Sequence, residues 1–310
     1  VKFHPAMLPM WRAHYNDASP RMKPWRMRMP PETRRTVRFW KMHGLGNDFM
    51  IVDGRDQPFE PDPGTLRRWA SRRSGVGFDQ FLVLDVPADP AADVAYRVFN
   101  ADGGEVGQCG NGARCVARLA AGTGRKRREE LRLESPTGTH AARLEADGTV
   151  SVCMGEPDFR PEALPFLAEG QGPPFRVETA EGSVIVTPVS MGNPHAVIEV
   201  GSLEDAPVDR LGAALNPHPA FPEGVNVGFV EVKDRRTAGL RVYERGVGET
   251  PACGTGACAA AAALIRSGRG DELLAVTLPG GRLMVRWTGP GEALWMQGEA
   301  AMVFEGQIAV

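Results

Sequence analysis

Alternating and β-branched apolar segments, separated by short turns, predict a chain rich in β-strands. Such segments lie at 95–99 and 239–243. Three longer stretches have a Gly-containing turn near the centre, as hairpins do, and they span 139–154, 177–189 and 273–287. The predicted strands outnumber the helices and do not alternate with them, so the expected fold class is α+β.

Four segments predict helices. Residues 112–121 and 256–266 follow glycine-rich loops, and each ends close to a further glycine. The second of these segments is nearly all apolar, so it is expected to be buried rather than to lie on the surface. Two more helices are predicted at 63–73 and 203–215, in comparable places in the two halves of the chain.

One motif occurs twice. Arg97 begins the segment RVFNADGGEVGQCGNGA, and Arg241 begins RVYERGVGETPACGTGA, 144 positions later, without a gap and with eight identical residues. Cys109 and Cys253 occupy the same place in the two copies. A repeat of this kind predicts two pseudo-symmetric domains, each a curved, mostly antiparallel or mixed β-sheet wrapped around a central helix, joined near 153–160.

Composition and charge limit the classes of function. The chain has 310 residues, of which 42% are hydrophobic and 24% charged, and its net charge is −2. These values fit a soluble protein of about two domains and predict neither a nucleic-acid nor a membrane partner. The longest apolar run has about nine residues, whereas a membrane span needs about twenty.

The first 36 residues differ from the rest of the chain. They contain eight basic residues, two acidic residues and six prolines, without a clear apolar period. We expect residues 1–36 to be a disordered basic extension, with a targeting segment or an interaction arm as alternatives.

The number of cysteines is odd, which argues against a disulfide framework and for a reducing cytoplasm. They are Cys109, Cys115, Cys153, Cys253 and Cys258. Their spacing does not match a zinc knuckle and no histidine lies beside them, so no metal site is expected. Two of the five lie at the predicted N-terminus of a buried helix, where the helix dipole and free N–H groups lower the pKa of a thiol and bind a carboxylate.

Two such thiols suggest a type of reaction. If the two units face each other, Cys109 and Cys253 lie on opposite sides of one cleft. A thiolate on one face of a carbon atom and a thiol on the other can invert the configuration of a small substrate that carries a carboxylate. The helix termini would stabilise the charge that develops on that carboxylate. This reaction class needs no metal and no pyridoxal phosphate.

Five stretches, taken together and in this order, resemble the diaminopimelate epimerase family over about residues 38–310. They are KMHGLGNDF from Lys41, FNADG from Phe99, CGNGAR from Cys109, MGNPH from Met191 and YERGVGETPACGTG from Tyr243. The resemblance implies a cofactor-independent cytoplasmic isomerase that interconverts LL- and meso-diaminopimelate for lysine and peptidoglycan synthesis, and that forms a homodimer. It also implies a first domain of residues 37–153 with the C-terminal tail, about 299–310, and a second domain of residues 154–298.

The resemblance also implies a role for each matched residue. Cys109 and Cys253 are similar to the two acid/base residues of the family, and Arg245 to a clamp on the distal carboxylate. The expected substrate-binding residues are Asn47, Gln80, Asn100, Gly110, Asn111, Asn193, Asn226, Glu244, Arg245, Gly254 and Thr255. His195 is expected to support the site by orienting nearby groups.

Two other interpretations stay open. The first is a related cysteine-pair racemase or epimerase acting on another amino acid, such as proline or hydroxyproline. Those enzymes usually have Cys-Gly-His-Gly at the first cysteine, where this chain has Asn111. The second is a non-catalytic binding protein or a relative from phenazine synthesis, which would lack one or both cysteines.

Overall fold

Strands dominate the fold, as the hydrophobic pattern predicts. The computed structural model describes residues 35–107, 109–123, 130–167 and 172–310. Residues 1–34, almost all of the expected basic extension, lie outside these ranges, and the first strand begins at Thr36.

The elements of the two halves follow the same order. The first half contains β1 (Thr36–Gly44), β2 (Asn47–Asp53), α1 (Pro63–Ala70), β3 (Gln80–Asp85), β4 (Val94–Asn100), β5 (Glu105–Val106), α2 (Gly110–Thr123), β6 (Glu130–Ser135), β7 (Gly138–Leu144) and β8 (Val150–Gly155). The second half contains a short 3-10 helix (Pro161–Ala163), β9 (Phe175–Thr179), β10 (Gly182–Ser190), β11 (Pro194–Glu199), α3 (Val208–Leu215), β12 (Asn226–Asp234), β13 (Thr237–Glu244), β14 (Gly248–Thr250), α4 (Gly254–Arg266), β15 (Leu273–Leu278), β16 (Gly281–Arg286), β17 (Leu294–Gly298) and β18 (Ala301–Ala309).

Strand pairing is also repeated. β2 lies parallel to β3 and β4 parallel to β6, and in the second half β11 lies parallel to β12 and β13 parallel to β15. The corresponding antiparallel pairs match as well, including β3 with β4 and β12 with β13. β8 pairs with β17 across the two halves, and β18 returns to pair with β1. Residues 36–310 therefore form one compact unit in which the two sheets are continuous.

Each sheet wraps around one central helix. α2 contacts β1, β4, β6, β7 and β8, and α4 contacts strands from β10 to β17. The alanines of α4 from Ala259 to Ala262 have no exposed surface, which fits the prediction that this helix is buried. The two helices also contact each other. Among the described residues no helix is long and apolar enough to cross a membrane.

The strands at the centre of each half are buried on both faces. In β2, Phe49 and Ile51 belong to the core around the two central helices, whereas Met50 and Val52 pack on the opposite face with α1. In the second half, Phe229 of β12 packs in the same way against α3. Because both faces are covered, these strands read as continuous apolar runs rather than as alternating ones.

The predicted limits of α2 and α4 differ from the structure by two residues at most, whereas one limit of α1 and one of α3 were wrong by three residues or more, and local chemistry explains both. α1 begins as expected, since Asp62 caps the main-chain N–H of Thr65 at 3.0 Å, but it ends at Ala70 rather than at 73 because Ser71 leaves the helical conformation. α3 begins at Val208 rather than at 203, because Pro207 disfavours helical geometry in the residue before it. The three predicted hairpins are present as β7–β8, β9–β10 and β15–β16.

Candidate active site

Cys109 lies directly before α2. The main-chain N–H of Gly112 points at its sulfur, with an N to Sγ distance of 3.4 Å. Its carbonyl accepts the N–H of Ala113 at 2.8 Å, which starts the first turn of the helix. Asn47, at the start of β2, places its Oδ1 3.8 Å from the sulfur. The thiol therefore lies among the free N–H groups of a helix terminus, whose partial positive charge favours an anion.

Cys253 has the same relation to α4. It is the N-cap residue, with extended backbone geometry, and its carbonyl accepts the N–H of Ala257 at 3.0 Å. Its sulfur donates to Oε2 of Glu244 at 3.1 Å and lies 3.7 Å from the hydroxyl of Thr255. The second thiol thus differs from the first in having a carboxylate as its partner.

The loops that carry the two cysteines contact each other. Nδ2 of Asn111 donates to the carbonyl of Ala252, the residue before the second cysteine, at 3.4 Å. A Cβ added to Gly110 would lie 3.0 Å from Cε of Met296, and one added to Gly254 would lie 3.1 Å from Sδ of the same methionine. Since both glycines pack against one side chain, a Cβ at either position would press on Met296, and this methionine would have to shift.

Burial makes both thiols weaker acids. It raises the pKa of Cys109 to about 11, although the N–H of Gly112 and the charge of Arg114 act in the opposite direction. It raises the pKa of Cys253 well above its usual value, and the neighbouring carboxylate of Glu244 raises it further. The two sulfurs therefore have similar backbone surroundings but unlike charges beside them.

His195, on β11, is a buried and neutral residue of the site. Burial, with the charge of Arg245 as a second cause, lowers its pKa to about 3. Its Nε2 lies 3.1 Å from Oδ1 of Asn193, and Nδ2 of that asparagine donates to the hydroxyl of Thr255 at 3.3 Å. Because Oδ1 can only accept, the imidazole proton is on Nε2. His195 therefore orients Asn193 towards the start of α4.

Asn226 and Arg245 form a second polar group next to His195. Strand register pairs Asn226 with His195, and its Oδ1 accepts the main-chain N–H of Arg245 at 2.9 Å. The guanidinium of Arg245 donates to the carbonyl of Glu223 at 2.8 Å. No carboxylate of the described chain pairs with this guanidinium, so it is available to an anionic ligand.

Gln80 and Asn100 pair with each other at the same end of the first sheet as Asn47. The Nε2 of Gln80 donates to Oδ1 of Asn100 at 3.1 Å, directly across β3 and β4. Strand register sets Gln80 beside Phe49, two residues after Asn47. The described contacts include none between these two amides and either thiol.

Sequence comparisons identify the family. A family model of diaminopimelate epimerase matches residues 39–160 and 187–303. The chain belongs to the diaminopimelate epimerase family. It is 49% identical over 272 residues to the diaminopimelate epimerases of Ectopseudomonas mendocina and Azotobacter vinelandii, which covers 88% of this chain and 99% of each relative. The family expected from the five motifs is thus confirmed.

Solved structures with low sequence identity share the fold of this family. A hydroxyproline epimerase from Agrobacterium vitis has a TM-score of 0.64 at 18% identity, over 90% of this chain and 94% of that one. A phenazine biosynthesis protein from Bacillus anthracis has a TM-score of 0.63 at 16% identity, over 89% of this chain and 100% of that one. These likenesses concern the fold alone, and they confirm the expected fold class.

Several residues that lie near the two cysteines were not predicted from the sequence to belong to the candidate active site. Asn47 donates to Asp79 at 3.3 Å, and Asp79 forms a salt bridge with Arg72 at 2.6 Å. Met296 lies between the two helix termini, and Arg114 is buried behind Asn111. A signal for Arg114 was present in the sequence, since it is a charged residue at the start of a mostly apolar helix. The described residues contain no group of three His, Cys, Asp or Glu side chains able to hold a metal ion.

Proposed function

We propose that this protein interconverts LL- and meso-diaminopimelate, with Cys109 and Cys253 as the two acid/base residues. The observation that carries the proposal is the contact between two cysteine-capped helix termini in a chain of this family. A single terminus would provide one thiol and one anion site. Two facing termini provide a thiol for each face of a substrate carbon.

The proposed reaction removes one proton from the α-carbon and adds another proton to the opposite face of that carbon. One cysteine, as thiolate, removes the proton from the α-carbon and becomes a thiol, and the electron pair of the C–H bond delocalises into the adjacent carboxylate. The other cysteine, as thiol, donates its proton to the opposite face and becomes the thiolate. Main-chain N–H groups at Gly110, Asn111, Gly254 and Thr255 would hold the carboxylate and stabilise its added charge. The proton balance needs no cofactor.

The proposed substrate shell matches the four charges of the ligand. Arg245, which lacks a carboxylate partner in the described chain, is suited to bind the distal carboxylate. Glu244 is suited to an ammonium group. The remaining polar residues are amides that can accept from an ammonium group or donate to a carboxylate: Asn47, Gln80, Asn100, Asn193 and Asn226. His195 would keep Asn193 in position. Such a shell is required because a buried charge without a partner is costly.

We also propose a homodimer formed through β18. This strand pairs with β1 on one edge, and three consecutive apolar residues on it, Met302, Val303 and Phe304, are 45%, 54% and 46% exposed. A contiguous apolar patch on a strand is typical of an interface. The repeated pairing order supports two duplicated domains, 37–153 with the tail 299–310, and 154–298. The need for reduced thiols supports a reducing compartment such as the cytoplasm.

The proposed activity can be tested by following the inversion of the substrate's α-carbon in deuterium oxide. With LL-diaminopimelate and a thiol reductant, the protein should give the meso isomer with deuterium at the inverted carbon. Proline, hydroxyproline, histidine and glutamate should not be inverted. Inversion of hydroxyproline but not of diaminopimelate would favour the alternative substrate and overturn the proposal.

Cysteine variants test the two-base assignment. Cys109→Ala and Cys253→Ala should each lose inversion, whereas Cys153→Ala, which removes a half-buried thiol on β8, should keep it. If Cys253→Ala inverted the substrate at the normal rate, the assignment of two bases would be wrong.

A further inference from the structure

Arg114 is a buried cation beside the proposed catalytic pair. It lies on α2, one turn after Cys109, and has no exposed surface. Its Nη2 donates to Oδ1 of Asn111 at 3.0 Å and its Nε to the carbonyl of Glu299 at 3.1 Å, while its Nη1 lies 3.7 Å from Sδ of Met296. The guanidinium thus connects the start of α2 with the end of β17 and the residue that follows it.

Two glycines make room for this guanidinium. A Cβ added to Gly44, at the end of β1, would lie 2.9 Å from Nη2 of Arg114. A Cβ added to Gly298, at the end of β17, would lie 3.3 Å from its Nε. The side chain therefore occupies a slot between two strand ends that larger residues would close.

No carboxylate is hydrogen-bonded to Arg114 within the described residues, since its three contacts are an amide oxygen, a main-chain carbonyl and a thioether. An arginine stays protonated even when burial lowers its pKa, as it does here. The groups that act on it electrostatically are the thiols of Cys109, Cys115 and Cys258 and the exposed side chain of Glu299. A buried cation with thiols around it favours a thiolate.

The internal repeat shows that the two halves differ at two charged positions. At the common offset of 144, Arg114 corresponds to Cys258 and Glu244 corresponds to Asn100. The half that contains Cys109 has the cation and lacks the carboxylate. The half that contains Cys253 has the carboxylate, 3.1 Å from its sulfur, and lacks the cation.

We propose that Arg114 is a positioning residue which, together with Glu244, makes Cys109 the first thiol of the pair to ionise and Cys253 the one that keeps its proton. This inference rests on the proposed function, in which one thiolate and one thiol are required. Glu244 also raises the pKa of Cys109, but there it is the last of the causes, whereas it is the first charged group to raise the pKa of Cys253, whose sulfur is hydrogen-bonded to it at 3.1 Å. The other titratable groups that act on Cys109 are Tyr96 and Cys115. Burial raises the pKa of both, to about 12 for Cys115, so they stay neutral and do not alter the order.

The test measures the ionisation of each thiol separately. The wild-type protein is treated with iodoacetamide between pH 7 and pH 10, and the rate at each cysteine is read by peptide mass spectrometry. Access differs between the two sulfurs, so the pH dependence, rather than the absolute rate, reports the thiolate. Modification of Cys109 should begin to rise at lower pH than that of Cys253. The opposite order would overturn the inference.

Arg114→Gln removes the charge and keeps a hydrogen-bond donor. Loss of a nearby cation raises a thiol pKa by about 1–3 units, and the greater nucleophilicity of the less acidic thiolate offsets about half of the effect. At pH 8.5 the rate at Cys109 should therefore fall by about 3- to 30-fold. Arg114→Lys should restore much of the rate. The matched control is Arg118→Gln, which removes an exposed arginine one turn along the same helix, and it should leave the rate unchanged.

Glu244→Gln should increase the rate at Cys253 more than the rate at Cys109, because the carboxylate that it removes is hydrogen-bonded to the sulfur of Cys253 and acts more weakly on Cys109. If Arg114→Gln does not fold, as judged by circular dichroism, Arg114→Lys and Glu244→Gln still decide the question. An unchanged rate at Cys109 in folded Arg114→Gln would mean that the arginine is only structural.

Activity data separate this inference from the proposed function. In Arg114→Gln the acid limb of kcat/KM should move to higher pH, whereas a purely structural role would lower the rate at every pH. A wild-type protein that is modified in the expected order but does not invert LL-diaminopimelate would contradict the proposed function and leave the order of ionisation intact. An active protein whose Cys253 ionises first would contradict the inference alone.

Discussion

His195 should make the stability of this protein depend on pH in a way that one substitution removes. In the folded protein its pKa is about 3, against an ordinary value of 6.5, because the ring is buried. When the pH falls below 6.5, the unfolded chain takes up a proton at this residue and the folded protein does not. Folding is then disfavoured, so the stability present above pH 6.5 is lost progressively as the pH falls towards 3.

The size of the effect follows from the difference between the two pKa values. The loss approaches about 1.4 kcal/mol for each pH unit below 6.5, which amounts to about 2 kcal/mol between pH 8 and pH 5. His195→Gln removes the titrating ring and keeps an N–H that can donate to Asn193. The wild-type protein should therefore lose about 2 kcal/mol more than the variant over this range.

Urea unfolding followed by tryptophan fluorescence measures the two free energies of unfolding at pH 8, 6.5 and 5. His140, whose pKa is also lowered by burial, is present in both proteins, so its contribution cancels in the difference. If that difference stays constant from pH 8 to pH 5, or if the variant loses more stability than the wild type, the argument from a buried neutral histidine is refuted.

Two further predictions concern the proposed thiol pair and the proposed dimer. An oxidant such as diamide should close a disulfide between Cys109 and Cys253, whose loops contact each other, and should abolish activity until a thiol reductant is added. The control variant Cys153→Ala should lose and regain activity as the wild-type protein does. Activity that resists the oxidant would show that the two sulfurs are too far apart to form a disulfide. Val303→Asp, on β18, should shift the protein from dimer to monomer in light scattering, because it would bury a charge in the apolar patch of the proposed interface. The control variant Val86→Asp, which changes an exposed valine outside β18, should leave the dimer intact. A dimeric Val303→Asp protein would place the interface elsewhere.

The sequence predicted most of the local structure because the relevant signals are local. Alternation of apolar residues and turn glycines located the three hairpins, and the start of α1 at Pro63 was predicted correctly. The errors occurred where a neighbouring proline or serine changed a helix limit, as at Pro207 and Ser71. The internal repeat placed both cysteines at helix N-termini before any contact was known.

The tertiary structure alone decided which of these residues meet. Asn111 contacts Ala252 across 141 positions of the chain, and Arg114 contacts the carbonyl of Glu299 across 185 positions. The hydrogen bond from Cys253 to Glu244 depends on β14 folding back antiparallel to β13, which pairs Glu244 with Gly248 and returns the chain towards the start of α4. Periodicity describes neighbours along the chain and carries no information on such distant pairs.

The sequence by itself therefore predicted the family and most of the strands and helices, and it singled out the two thiols that are proposed as the reactive groups. It did not determine that the thiols have unlike electrostatic surroundings. That difference arises only when folding buries Arg114 behind one helix terminus and sets Glu244 beside the other, because the removal of water strengthens the effect of each charge on the sulfur next to it.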